Sequence, residues 1–176
     1  KVTDVMRKRA PSFDADNLVG VDFNIFHANP ASQAKTLGGL NSTFSADIRV
    51  GPRRLGLVVN PIFGPDGSRI GTVVEWMDKT EDLALLEDID SCAKAVVEGD
   101  FASRVGAHPE ADPNLDRVAR QVNRICEKVD AFLSDIDAPL SAMAKGDLTL
   151  RAADGQAGRF GQVADNLNVT FARLSE

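Results

Sequence analysis

The sequence predicts an α+β domain with a small antiparallel sheet, followed by an all-α region of parallel coiled-coil bundles. Three observations predict it. Gly, Pro and β-branched residues concentrate before residue 80. Apolar residues there alternate with polar ones, the period of half-buried strands. Beyond residue 80 the apolar residues step by three and four, the period of helices packed along a narrow seam.

Residues 2–10 read as a helix stopped by Pro11, and Phe13 to Leu18 as a capped turn. A helix follows from Pro30 to Leu40, with proline in its first turn. In 43-TFSADIRV-50, Phe44, Ala46, Ile48 and Val50 share one face. Gly51-Pro52 turns the chain into 54-RLGLVVNPI-62, where Leu55, Leu57 and Val59 share a face and Pro61 marks the strand's end or a bulge. The turn 64-GPDGS-68 leads to 70-IGTVVEWM-77, with Ile70, Thr72, Val74 and Trp76 together. Three strands make a small sheet, so helices must cover one face.

In the second part, Leu86, Ile89, Ala93 and Val96 form a first stripe. Leu115, Val118, Val122, Ile125, Val129, Phe132 and Ile136 form a cleaner one. A helix over 115–145 would run about 46 Å, and its stripe needs a partner helix. A last helix, 158–174, carries Phe160, Val163, Leu167 and Leu174. Two segments 47 residues apart match: 95-AVVEGDFASRV-105 and 142-AMAKGDLTLRA-152. In each, a helix stops at Gly-Asp (Gly99-Asp100, Gly146-Asp147), and Phe101 or Leu148 anchors a connector.

Net charge of −6 and the absence of a basic run argue against a nucleic-acid partner. No phosphate loop, Ser/His/Asp set or metal-ligand cluster is present in the sequence, so no enzyme is expected. Cys92 and Cys126 read as small buried hydrophobes in a reducing compartment. His108, beside Pro109, reads as solvated. No apolar run reaches the roughly 18 residues of a membrane span; a cytoplasmic location is expected, with an anchor outside this stretch left open.

The two Gly-Asp repeats resemble consecutive HAMP units. The second matches better, with Ala138-Pro139-Leu140, Gly146-Asp147-Leu148, Gly161 and Asn168; the first is divergent and lacks the proline. Both depart from the usual acidic-Leu-Gly start of the second helix, having Asn114-Leu115-Asp116 and Arg159-Phe160-Gly161. Residues 18-LVGVDFNIFHANPASQ-33, 58-VVNPI-62 and 66-DGSRIGTVVEWMDKT-80 resemble a PAS domain of cytoplasmic methyl-accepting chemotaxis proteins, of the heme-containing, aerotaxis-like type. A PAS domain normally begins with two further strands. The resemblance implies a PAS domain over 1–80, a divergent HAMP unit over 81–133 and a second over 134–176.

It further implies heme b, with His27 as iron ligand and Trp76 as the hydrogen-bond donor to a bound diatomic gas such as oxygen. Neutral imidazole is a common axial ligand of heme iron, and an indole N–H donates without accepting. Phe23, Ile25, Phe26, Leu37, Leu55, Leu57, Val59 and Val74 could line the slot. The bland alternatives are a packed or capping His27 and a core Trp76. Signal coupling would pass through Asp78 and Thr80, then Gly99, Asp100, Pro139, Gly146 and Asp147. The implied assembly is a homodimer that addresses a downstream chemotaxis kinase and adaptor through a region outside this chain. A heme-free module that only dimerises and relays is the alternative.

Overall fold

The computed structural model describes residues 2–11, 13–22 and 29–175. His27, Phe23, Ile25 and Phe26 lie outside them. The chain divides into two compact units, Lys1–Ala84 and Leu85–Glu176.

The first unit opens with α1 (Val2–Arg9). Pro11 cannot continue it, because proline lacks the backbone N–H a helix requires. Asp14 then organises the turn: its carboxylate accepts from the Asp16 N–H and the Asn17 side chain. Next comes α2 (Pro30–Gly38), where Asn29 Oδ1 accepts from the Ser32 N–H across the first turn. Proline sits where its missing N–H is harmless.

Three strands make one antiparallel sheet in sequence order: β1 (Phe44–Val50), β2 (Arg53–Phe63) and β3 (Arg69–Asp78). The alternation predicts all three. Register places Ala46 opposite Leu57 and Leu57 opposite Trp76, with Val59 opposite Val74. Pro61 does not end β2; the strand runs on to Phe63, and the irregularity falls at Ile62/Phe63. Asp66 holds the β2–β3 turn by accepting from the Ser68 N–H and hydroxyl.

Met6 of α1 packs with Val50 and Leu55 into a small core, which Phe13, Ile48 and Trp76 extend. Helix α1 therefore covers one end of the sheet's apolar face. Ile70, at the far end of that face, is 67% exposed. Arg69 ties α2 to β3: its guanidinium donates to the carbonyls of Gly38 and Leu40 and to the Thr72 hydroxyl.

Three helices follow: α3 (Thr80–Val97), α4 (Pro113–Met143) and α5 (Gly158–Leu174). The second unit begins within α3. Its core runs through Leu85, Cys92, Val105, Ala119 and Cys126, with Ile89, Val96, Leu115 and Val122 against it. Both cysteines are buried free thiols, as their helical setting suggests. Further along, Phe132 of α4 meets Phe160 of α5 with ring centroids 4.6 Å apart, and Pro139, Ala164 and Phe171 are buried.

The long stripe of α4 thus splits in two. Leu115 and Val122 turn towards the chain's own core, joined by Ala119 and Cys126. Val118, Ile125, Leu133 and Leu140 remain on the surface. Among the described residues, no helix is long and apolar enough to cross a membrane.

Candidate functional site

The sheet's inner face supplies an apolar wall. Leu55 and Val59 are buried, and Leu57, Val74 and Trp76 are half-buried. Period-two alternation puts Val74 and Trp76 on the same side of β3, and cross-strand pairing sets them beside Val59 and Leu57. The indole of Trp76 also packs against the Met6, Val50 and Leu55 core. Of the residues predicted to line a cofactor slot, the structure brings Leu55, Leu57, Val59 and Val74 together with Trp76 on the sheet, and Leu37 lies on α2.

Two residues beyond Trp76 the strand becomes a helix, and a dense polar junction fixes the change. Asp78 Oδ1 accepts from the Thr80 N–H at 3.1 Å and from the Thr80 hydroxyl at 2.5 Å. Its other oxygen takes Arg53 Nη1 at 3.1 Å. Thr80 Oγ1 in turn accepts from the backbone N–H of Arg54 at 2.9 Å. The Lys79 N–H donates to the Arg54 carbonyl at 2.9 Å. Thr80 and Asp78 therefore satisfy both the first N–H of α3 and the start of β2. A carboxylate just ahead of a helix also meets the positive end of its dipole.

Partial burial pushes the Asp78 carboxyl up. The Thr80 hydroxyl, the Thr80 N–H and the Arg53 guanidinium outweigh it and hold the group below its ordinary value. Lys79 extends the junction to β1: its ammonium lies 2.9 Å from Asp47 Oδ1 and its stem crosses Gly56. Sequence reasoning names Asp78 and Thr80 and misses Arg53, Lys79 and Asp47. Their roles depend on pairing across 25 and 32 residues, which no local pattern reports.

The second unit contains a repeated device. Gly99 and Gly146 both take positive φ, +91° and +85°. Around each, the glycine N–H donates three residues back and the aspartate N–H five residues back: Gly99 to Val96, Asp100 to Ala95, Gly146 to Met143, Asp147 to Ala142. These are Schellman caps, in which a left-handed residue lets the last turn bond its own carbonyls. The aspartates then start the connectors. Asp100 accepts from the Ala102 N–H. Asp147 accepts from the Thr149 N–H and hydroxyl, and that hydroxyl, then that N–H, hold its carboxyl below the ordinary value against slight desolvation.

Each connector is then clamped to the next helix by an asparagine. Asn123 accepts from the Val105 N–H at 2.8 Å and donates to its carbonyl at 3.0 Å. Asn168 does the same to Ala152, at 2.9 and 3.1 Å. Val105 and Ala152 are buried, whereas the expected anchors Phe101 and Leu148 are half-buried. The deeper fixing point is thus four residues beyond each expected anchor. Only Asn168 is named from the sequence; aligning both segments through to the following helix would have exposed Asn123 as well.

Gly161 explains how the second connector meets α5 without the usual acidic start: a Cβ there would stand 2.2 Å from the Gln156 carbonyl oxygen. Gln156 also donates to Asp135 on α4. Pro139 is buried within α4. His108 is not solvated. Its Nε2 lies 2.9 Å from Asp88 Oδ2 and its side chain is 15% exposed, so it fastens the first connector to α3.

A three-stranded antiparallel sheet is bonded directly to the start of α3, and two capped and clamped helix ends follow, so the chain is of the α+β class. No family model matches the chain. Over 170 residues, 97% of its length, it is 36% identical to the methyl-accepting chemotaxis protein McpB of Pseudomonas aeruginosa, of which that stretch is 25%. The chain therefore spans about a quarter of the length of the curated relative it matches. This likeness supports kinship with the methyl-accepting chemotaxis proteins.

Proposed function

We propose that this chain is the sensing and relay part of a chemoreceptor. In this reading a PAS-type domain seats heme b, and two HAMP-type units carry the response. The observation that carries it is the placement of Trp76 on the apolar wall, two residues ahead of the Asp78–Thr80 junction.

The described wall suits a porphyrin. Leu57, Val59 and Val74 offer apolar contact, and Trp76 adds one N–H donor and no acceptor. His27 would hold the iron through an imidazole nitrogen, and Phe23 and Phe26 would complete the apolar surround. When bound, heme iron supplies the coordination position at which oxygen or another diatomic gas attaches. Trp76 would hold its N–H towards that ligand while the aliphatic wall excludes water.

A displacement of Trp76 would reach Asp78 through two residues of β3. Asp78 and Thr80 are bonded to both β2 and the first turn of α3, so the start of α3 would follow the strand. The Gly99-Asp100 and Gly146-Asp147 caps, the asparagine clamps and Pro139 would let the helices exchange two packings, the bistable element that signalling requires. Val118, Ile125, Leu133 and Leu140 recur at near-heptad spacing on α4, which supports a homodimer packed along that stripe. Output would go to a chemotaxis kinase and adaptor through a region outside this chain, with no catalysis here.

A second reading has its own support. Trp76 packs into the Met6, Val50 and Leu55 core, which suits a heme-free module that only dimerises and relays. One experiment separates the two. The whole receptor, purified from heme-supplemented cells, should show a Soret band that His27→Ala removes. Absence of the band in the unaltered receptor defeats the heme reading and leaves the mechanical relay.

A further inference from the structure

Cys92 and Cys126 are the chain's two cysteines. They stand on α3 and α4, 34 residues apart, with sulfur atoms separated by 3.9 Å. Both side the centre of the helical core, at 2% and 1% exposure, against Leu85, Val105 and Ala119. Cys92 also donates to the Ser103 carbonyl of the first connector at 3.7 Å. Burial, and then the neighbouring Cys92 thiol, push the Cys126 thiol up. In the closed bundle both sulfurs are shut off from solvent.

A disulfide places its sulfurs about 2.05 Å apart. The pair is within about 2 Å of that separation, a shift of the size by which packed helices adjust. We infer that Cys92 and Cys126 form a latent intramolecular disulfide that latches α3 to α4. The latch does not rest on the gas-sensing reading; it depends on the helical core alone.

The oxidant is hydrogen peroxide. On a local opening of the bundle, one sulfur attacks a peroxide oxygen as its thiolate. The O–O bond breaks, hydroxide leaves and takes up the proton that the thiol released, giving water, and a sulfenic acid forms. The second sulfur then attacks the first, the S–O bond breaks, and a second water leaves. Two thiols are oxidised to one disulfide, and one peroxide is reduced to two waters. The bond would hold the ends of the first connector together and stop α3 and α4 from moving past one another.

The test treats the reduced whole chain with hydrogen peroxide under native conditions. Thiols counted afterwards in urea should fall from two per chain to none. The product should keep monomer mobility on a non-reducing denaturing gel. Peptide mapping should join the Cys92 and Cys126 peptides, and amide exchange along α3 and α4 should slow. Cys92→Ser and, separately, Cys92→Ala should abolish the link while circular dichroism reports an unchanged helical signal. Three results would overturn the inference: retention of both thiols at a peroxide dose that oxidises them in urea, a link between two chains, or oxygen added at one sulfur with no link.

Discussion

Thr80→Val is the most informative single change at the sheet–helix junction. Valine keeps the branched shape and removes only the hydroxyl. Two bonds go with it: the Arg54 N–H loses its acceptor at 2.9 Å, and Asp78 loses its shortest donor. The N–H of residue 80 can still donate to Asp78, so the first turn of α3 should persist. Loss of an acceptor by a partly buried donor costs about 1–3 kcal/mol, and a bond to a charged group contributes a similar amount. Since Asp78 is partly solvated, about 2 kcal/mol is the reasoned sum. If that energy resists local opening, exchange of the Arg54 amide should accelerate about 30-fold, at tenfold per 1.4 kcal/mol. Native-state hydrogen exchange with mass or NMR detection reads it directly. Acceleration below about threefold would show that Thr80 does not fasten the strand to the helix.

Other predictions follow from the same geometry. Because the Asp78 carboxyl is held below its ordinary value in the folded chain, its contribution is present above the unfolded carboxylate pKa and fades as pH falls through the folded one. Asp78→Asn should therefore flatten the stability loss on acidification below about pH 4, as read by denaturant midpoints; an unchanged slope refutes the assignment. Asn168→Ala removes both bonds to Ala152 and should cost about 1–3 kcal/mol, with faster exchange at the Ala152 amide. Gly161→Ala should destabilise the second unit by about 1–3 kcal/mol, because its methyl would meet the Gln156 carbonyl; an unaltered thermal midpoint contradicts this. Ile125→Asp should lower the sedimentation mass to that of a monomer while helicity is retained, since Ile125 is 61% exposed in the single chain. Val122 is a poorer probe of assembly because it also packs against the chain's own core.

Much of the fold is legible in the residues. Alternation in 43–50, 54–62 and 70–77 gives the strands, because one face of a small sheet must be covered. The Gly-Asp repeat marks both helix stops, because a Schellman cap requires a left-handed residue. Less legible is which helix face meets which neighbour. The apolar steps on α4 contain residues for both the chain's own core and the exposed stripe. The small residues Ala119 and Cys126, which reach deepest, score weakly as hydrophobes. Asn123 and Arg53 carry no local signal, since their partners are fixed only when the connector and the strands fold back. The apolar wall and Trp76 are readable from period-two alternation, whereas the pairing of His27 with that wall rests on the resemblance.

The central claim is that occupancy of the apolar wall is read at Asp78 and Thr80. Hydrogen exchange on the intact receptor, with and without a saturating diatomic gas, tests it most directly. The account predicts a change in protection at Arg54 and through Thr80–Leu83 that Thr80→Val removes without altering gas binding. Identical protection in the two states, with gas demonstrably bound, would contradict it.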